Sequence, residues 1–221
     1  MNWTWFRKKY NDNHPDFWKA YVDSFDKKIK KPIHETRFVA FDTETTGFDK
    51  KEDRILSLGA VEIINKTIKA NTTLEIYIKQ AVFKPATVKI HGILKDGDLE
   101  KVSEIDAIKS FLTYINNDIL IAHHAGFDYG MINEMLSRHG LGKLKNECID
   151  TGALFSKSKH IIYHENLKKH YTLDDLCKEL NVSMADRHTS IGDALITALV
   201  FLKTIARLDK RNVLKWDYLL K

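Results

Sequence analysis

The chain has 221 residues, 43% hydrophobic and 29% charged, with only 10 Gly and 3 Pro, which excludes collagen-like, low-complexity and disordered classes. One globular domain with appendages fits that length. A net charge of +5 leans towards an anionic partner, and two cysteines, Cys148 and Cys177, are too few for a disulfide framework and form no CxxC zinc pair.

Residues 1–36 read as an aromatic, basic helical extension. They hold Trp3, Trp5 and Trp18 of the four tryptophans. Met1 to Tyr10 carries Arg7, Lys8 and Lys9 and no apolar h-region, so it does not read as a secretory signal. Phe17, Trp18, Tyr21, Val22 and Phe25 recur on one helix face, with Lys19, Lys27 and Lys28 outside the stripe. Packing on the main domain is the favoured expectation; contact of these aromatics and lysines with nucleic acid or a protein is the alternative.

Residues 37–210 read as one α/β domain and 211–221 as a tail. Arg37 to Glu44 alternates, Arg54 to Asn65 is β-branched and apolar, and Thr67 to Lys79 alternates again, which predicts an antiparallel meander. A helix is expected over Leu99 to Ile115, a short strand over Asp118 to Ala122, a helix over Asp128 to His139 and a short strand over Glu147 to Thr151. Ser156 to Tyr171, with lysines and His160, His164 and His170, shows no clear period and is expected to be a mobile, solvated loop. Helices follow over Thr172 to Leu180 and Thr189 to Leu208, the second apolar on nearly every side. Strands first, then strands alternating with helices, make a mixed sheet flanked by helices. The longest strongly apolar stretch, Ala194 to Leu202, is about half a membrane span. A cytoplasmic protein without a membrane partner is expected.

Asp42 and Glu44 sit two apart on a predicted strand and so share a face with Phe38 and Ala40. Two carboxylates on an apolar face call for a cation, and their hard oxygens suit Mg²⁺ or Mn²⁺. A strand running out into a polar turn would carry the same pair. Asp128 falls on the side of its helix that bears Met131, Ile132, Met135 and Leu136, although a plain helix cap would also place an Asp there. Asp193 opens the last long helix on the side of Ile196, Thr197 and Val200. His188 precedes it by five residues; alone it reads as a surface histidine, but beside clustered acids an imidazole, titrating near ~6.5, is suited to take a proton from water.

Together these residues resemble a known family. Asp42-x-Glu44-Thr-x-Gly47, His123-x-Ala125-x-Phe127-Asp128 and His188-x4-Asp193, in that order, look like the three motifs of the DEDDh 3′-5′ exonucleases, and among these the proofreading epsilon subunits of bacterial DNA polymerase III. The resemblance spans about Phe38 to Leu202 and implies a ribonuclease-H-like fold. It further implies two ions per site: Asp42 bridging both, Glu44 and Asp193 completing one and Asp128 holding the other, with His188 as general base. Ile90-His91-Gly92-Ile93 resembles the segment that borders the 3′-terminal nucleotide. Thr45 and His91 are thus candidates for the terminal sugar and Phe127 for the path of the strand. His124 stands where the family usually has Asn, and Ser190 where it often has Ala. The implied partners are a single-stranded or frayed 3′ end of DNA and a DNA polymerase. An RNA-directed exoribonuclease, or a non-catalytic nucleic-acid-binding module on a polymerase, is the alternative.

Overall fold

Alternation over residues 38–45 gives β1 (Phe38–Thr45) two faces, and helices cover both. The computed structural model describes residues 10–27, 31–95, 98–163, 170–211 and 214–220. Trp3, Trp5, Lys28 and His164, singled out above, lie outside them. β1 pairs antiparallel with β2 (Ile55–Ile64), which pairs antiparallel with β3 (Thr67–Ile78), the expected meander. β3 also pairs with the two-residue β4 (Lys101–Val102), while β5 (Ile119–Ala122) and β6 (Cys148–Asp150) run parallel on the far side of β1. The result is a six-stranded mixed sheet of order β4-β3-β2-β1-β5-β6.

One face of the sheet presents Val39, Phe41, Leu58 and Ala60 to α1 (Asp16–Ser24), α3 (Glu104–Ile115) and α4 (Ala125–Arg138). The other presents Phe38, Ala40, Val61 and Ile63 to α5 (Thr151–Tyr163), α7 (Ser190–Lys210) and α8 (Trp216–Leu220). α6 (Leu173–Leu180) packs on α7, capped by reciprocal bonds between Thr172 and Asp175. Among the described residues no helix is long and apolar enough to cross a membrane.

Four elements depart from the expectation, each for a local reason. α3 starts at Glu104 rather than Leu99 because the Ser103 hydroxyl accepts the Asp106 N–H at 3.2 Å and ends the extended segment there. α4 starts at Ala125, ahead of Asp128, and its first N–H is met by Asp150 Oδ2 at 2.8 Å, a cap from the end of β6 that no local pattern reveals. The expected loop from Ser156 is helix as far as Tyr163: Ser156 and Ser158 fill buried positions of α5 and interrupt the apolar period that runs from Leu154 and Phe155 to Ile161 and Ile162. α2 (Pro85–His91) is unanticipated, although Pro85 at its start and left-handed Gly92 (φ 69°) at its end bracket it. In addition α7 is not buried all round, since Leu195 is 40% exposed.

The aromatic stripe of α1 is packed. Trp18, Tyr21 and Val22 are buried, and Trp18 lies 2.9 Å from where a Cβ on Gly142 would stand. The Tyr21 hydroxyl donates to Asn146 Oδ1 at 2.6 Å and accepts the Lys145 N–H at 2.8 Å. Trp18→Ala should therefore cost about 3–5 kcal/mol, as large aromatic deletions in cores do. Its specific activity, measured well below the melting temperature, should stay near that of the parent; an altered KM for nucleic acid with unchanged stability would show that the stripe binds substrate instead.

Candidate active site

The site lies where β1 outruns β5. Pairing with β5 stops at Ala40, whereas pairing with β2 continues to Thr45. Asp42 and Glu44 thus extend the stripe of Phe38 and Ala40 beyond the core, on the face covered by α7. Asp193, in the first turn of α7, meets them there: the three acids offer ligand oxygens that all lie within 4.8 Å of one another. Close approach of helix and sheet makes this possible. Gly59 is the register partner of Asp42, and a Cβ on it would stand 2.3 Å from the Ser190 backbone. The Ser190 hydroxyl bonds that of Ser57 on β2 at 3.0 Å, which gives the departure from Ala a structural use.

Asp128 arrives from the opposite layer. With β5 ended, the Thr43 N–H has no strand partner on that edge, and it donates to Asp128 Oδ1 at 3.1 Å while the Thr43 hydroxyl donates to the same oxygen at 2.5 Å. Asp128 is only 4% exposed. The apolar spacing of α4 thus marked its inward position correctly.

His188 sits on the turn before α7 with its backbone left-handed (φ 65°) and its side chain exposed. Its N–H donates to Asp193 Oδ2 at 3.3 Å, so it adjoins the cluster through the backbone. Next to it is a residue that the sequence reading missed. The Arg187 guanidinium donates to Asp193 Oδ2 and, at 2.9 Å, to Asp174 Oδ1 on α6. Only its adjacency to His188 hinted at it, because nothing in the spacing ties it to Asp174.

The candidate substrate residues stand further out. Thr45, half-buried, donates its hydroxyl to the Gly47 carbonyl at 2.7 Å. Gly47 is tied down in turn, since a Cβ there would stand 2.5 Å from Asp53 Oδ2. His91 is 8% exposed; its Nδ1 accepts the Ile93 N–H at 3.0 Å, and its Nε2 is buried without a partner among the described residues. Phe127 is half-buried, its ring 5.8 Å from that of Phe48, which is 84% exposed. His124, left-handed at the start of α4, lies exposed with its ring 4.2 Å from that of His123 and 6.4 Å from that of His170.

The electrostatics of the cluster call for a cation. Burial first, then the charges of Asp128, Asp193 and Glu44, push Asp42 well above the usual carboxylate range. Burial and the same neighbours raise Glu44 to about 7, and burial raises Asp128 to about 7 against the Thr43 hydrogen bonds. Arg187 offsets part of this for Asp42 and Glu44. Asp193 Oδ1 is buried with no hydrogen-bond partner among the described residues. Hard oxygens, excess negative charge and an open buried acceptor fit a divalent metal ion.

A pH dependence follows. Glu44 and Asp128 have ordinary values of 4.5 and 3.8 and folded values of about 7, so between those limits the folded protein holds protons that the unfolded chain has lost. Their contribution to stability is therefore greatest at low pH and is lost as pH rises towards and past 7. In chelator, Glu44→Gln should flatten the fall in melting temperature between pH 5 and pH 8 relative to the parent, and Mn²⁺ should reduce the fall in the parent. Parallel profiles for the two proteins would show that the repulsion is not felt.

Comparison with known proteins shows the family and the fold. The sequence profile of the exonuclease family, described as "Exonuclease", matches residues 39–201. The epsilon subunit of DNA polymerase III from Treponema pallidum is 30% identical over 181 residues, covering 81% of this chain and 82% of its own. The PolC-type DNA polymerase III of Oceanobacillus iheyensis is 31% identical over 181 residues, or 82% of this chain, but the match spans only 12% of that much longer protein. Among solved structures, E. coli exonuclease I in complex with a dA16 oligonucleotide superposes with a TM-score of 0.67 at 15% identity, covering 80% of this chain and 42% of that one. Exonuclease X in complex with 5′-overhanging duplex DNA gives 0.59 at 18%, covering 84% and 97%. On the matched span, the motif order and the sheet that carries it, the chain belongs to the exonuclease family, in its DEDDh 3′-5′ branch.

Proposed function

We propose that this protein removes nucleotides from the 3′ end of a single-stranded or frayed DNA, releasing 5′-nucleoside monophosphates, as a proofreading or repair activity beside a DNA polymerase. One observation carries the proposal: Asp42, Glu44 and Asp193, from a strand end and a helix start, bring ligand oxygens within 4.8 Å of one another, with the Asp128 carboxyl near enough to push Asp42 upward. The DNA substrate and the polymerase partner draw support from the relatives, which are polymerase III proteins, and from the fold's likeness to nucleases solved with DNA.

In this reading Asp42 would serve both of two divalent-ion positions, for Mg²⁺ or Mn²⁺, Glu44 and Asp193 would serve one of them and Asp128 the other. When bound, such ions neutralise the charge that makes a phosphodiester resist attack, at both the entering and the leaving oxygen. Asp42 and Glu44 are held to that task by strand pairing on β2, and Asp128 by the two Thr43 donors. His188 takes the proton of the attacking water, and its exposure lets the proton pass on to solvent. Thr45 and His91, the latter through its unpartnered Nε2, meet the terminal sugar, while Phe127 with Phe48 offers an aromatic surface for a base.

The test is cleavage of matched 5′-labelled single-stranded DNA, frayed duplex and RNA in Mg²⁺ by the purified protein. Shortening of the DNA one nucleotide at a time from the 3′ end is expected. Faster digestion of RNA would move the substrate to RNA, and no cleavage of any of the three would leave a binding module.

A further inference from the structure

The acid cluster already holds a cation of the protein's own. Arg187 sits on a turn that leaves it little freedom: Asp186 and His188 on either side are left-handed (φ 62° and 65°), and the turn closes so tightly over α7 that a Cβ on Gly192 would stand 2.0 Å from the Asp186 carbonyl oxygen. From there the guanidinium forks. One nitrogen donates to Asp193 Oδ2, and two others converge on Asp174 Oδ1 at 2.9 Å. The two oxygens of Asp193 are thereby divided: Oδ2 takes Arg187 and the His188 N–H, while Oδ1 is buried and has no hydrogen-bond partner among the described residues.

Resting on the exonuclease reading above, we infer that Arg187, anchored from α6 by Asp174, is a positioning residue and resident counter-ion: it fixes Asp193 so that Oδ1 alone is offered to a metal, and holds the His188 turn in register with it. Two consequences pull in opposite directions. A fixed positive charge beside the acids weakens their attraction for a divalent ion, while the same contact aligns Asp193 and His188 for the reaction. Loss of Arg187 should therefore tighten metal binding and slow turnover, whereas mere structural damage would weaken both. A lysine keeps the charge but cannot grip two carboxylates at once.

The experiment measures Mn²⁺ binding to the nucleic-acid-free protein by calorimetry, with kcat and KM on single-stranded DNA alongside. For Arg187→Gln, Mn²⁺ affinity should rise roughly three- to tenfold and kcat should fall roughly tenfold or more, with KM little changed. Arg187→Lys should bind Mn²⁺ as the parent does and still lose turnover. Asp174→Asn, at a half-exposed position where unfolding is not expected, should lower kcat without tightening Mn²⁺. If Arg187→Gln does not fold, these last two variants decide alone, and parent-like kcat in both would overturn the inference. Unchanged or weaker Mn²⁺ binding in a folded Arg187→Gln would overturn it as well. A parent protein that cleaves no nucleic acid would instead overturn the exonuclease reading, which keeps the two failures apart.

Discussion

Asp42→Asn should leave a folded protein whose exonuclease turnover is lower by on the order of 10³-fold or more, because in the proposed mechanism it removes the charge that would serve both metal positions. The change is nearly isosteric, and Asp42 lies at the end of a strand paired with β2, so the fold should survive. In chelator the variant should even melt higher than the parent at pH 8. The reason is that Asp42 is held well above the usual carboxylate range by burial and by Asp128, Asp193 and Glu44; its ionised form is the destabilised one, and an amide never ionises. Below about pH 4, where even the unfolded chain would hold the proton, the gain should vanish. Nuclease activity at parental level from Asp42→Asn would remove the acid cluster from the chemistry.

His188→Ala should lower kcat by roughly 10²- to 10⁴-fold, the usual share of a positioned base, with KM nearly unchanged. Hydroxide itself becomes more abundant as pH rises, so part of the lost activity should return at alkaline pH. The fold gives no reason for a stability loss, since the imidazole is exposed and the N–H bonded to Asp193 is a backbone group that alanine keeps. Its left-handed φ is the one cost, about 1–2 kcal/mol at most for an L-residue, and the histidine carries it already. Near-normal kcat at neutral pH would leave His188 as a residue that merely flanks α7.

How much of this was legible depended on the range of the interaction concerned. Strand alternation is local, and it placed β1, β2 and β3 within a residue or two and set Asp42 and Glu44 on the face of Phe38 and Ala40. The helical period of Met131, Ile132, Met135 and Leu136 put Asp128 inward. What the sequence hid was whatever a distant residue supplies. α4 begins early because Asp150 caps it, α5 is a helix whose apolar period is interrupted by the buried Ser156 and Ser158, and Arg187 takes its meaning from Asp174 on another helix. The same holds for Gly59, which as a sequence position is one more glycine in a strand and in space is the opening that lets α7 bring Asp193 to Asp42.

The docking of α1 also orders events during synthesis. The hydroxyl of Tyr21 is satisfied by Asn146, 125 residues later, and Trp18 rests against Gly142. A ribosome adding about 5–20 residues per second needs roughly 6–25 s to make that stretch. Throughout that interval the helix lacks Gly142, Lys145 and Asn146 and can find only the α3 part of its final surface, while β1, β2 and β3 can pair before it does, because their partners are close in sequence. α1 should therefore lock on late, after the segment between α4 and β6 has emerged. Until then Trp18 lacks the wall at Gly142 and the Tyr21 hydroxyl lacks Asn146, so the final burial of this stripe waits on a segment more than half the chain away.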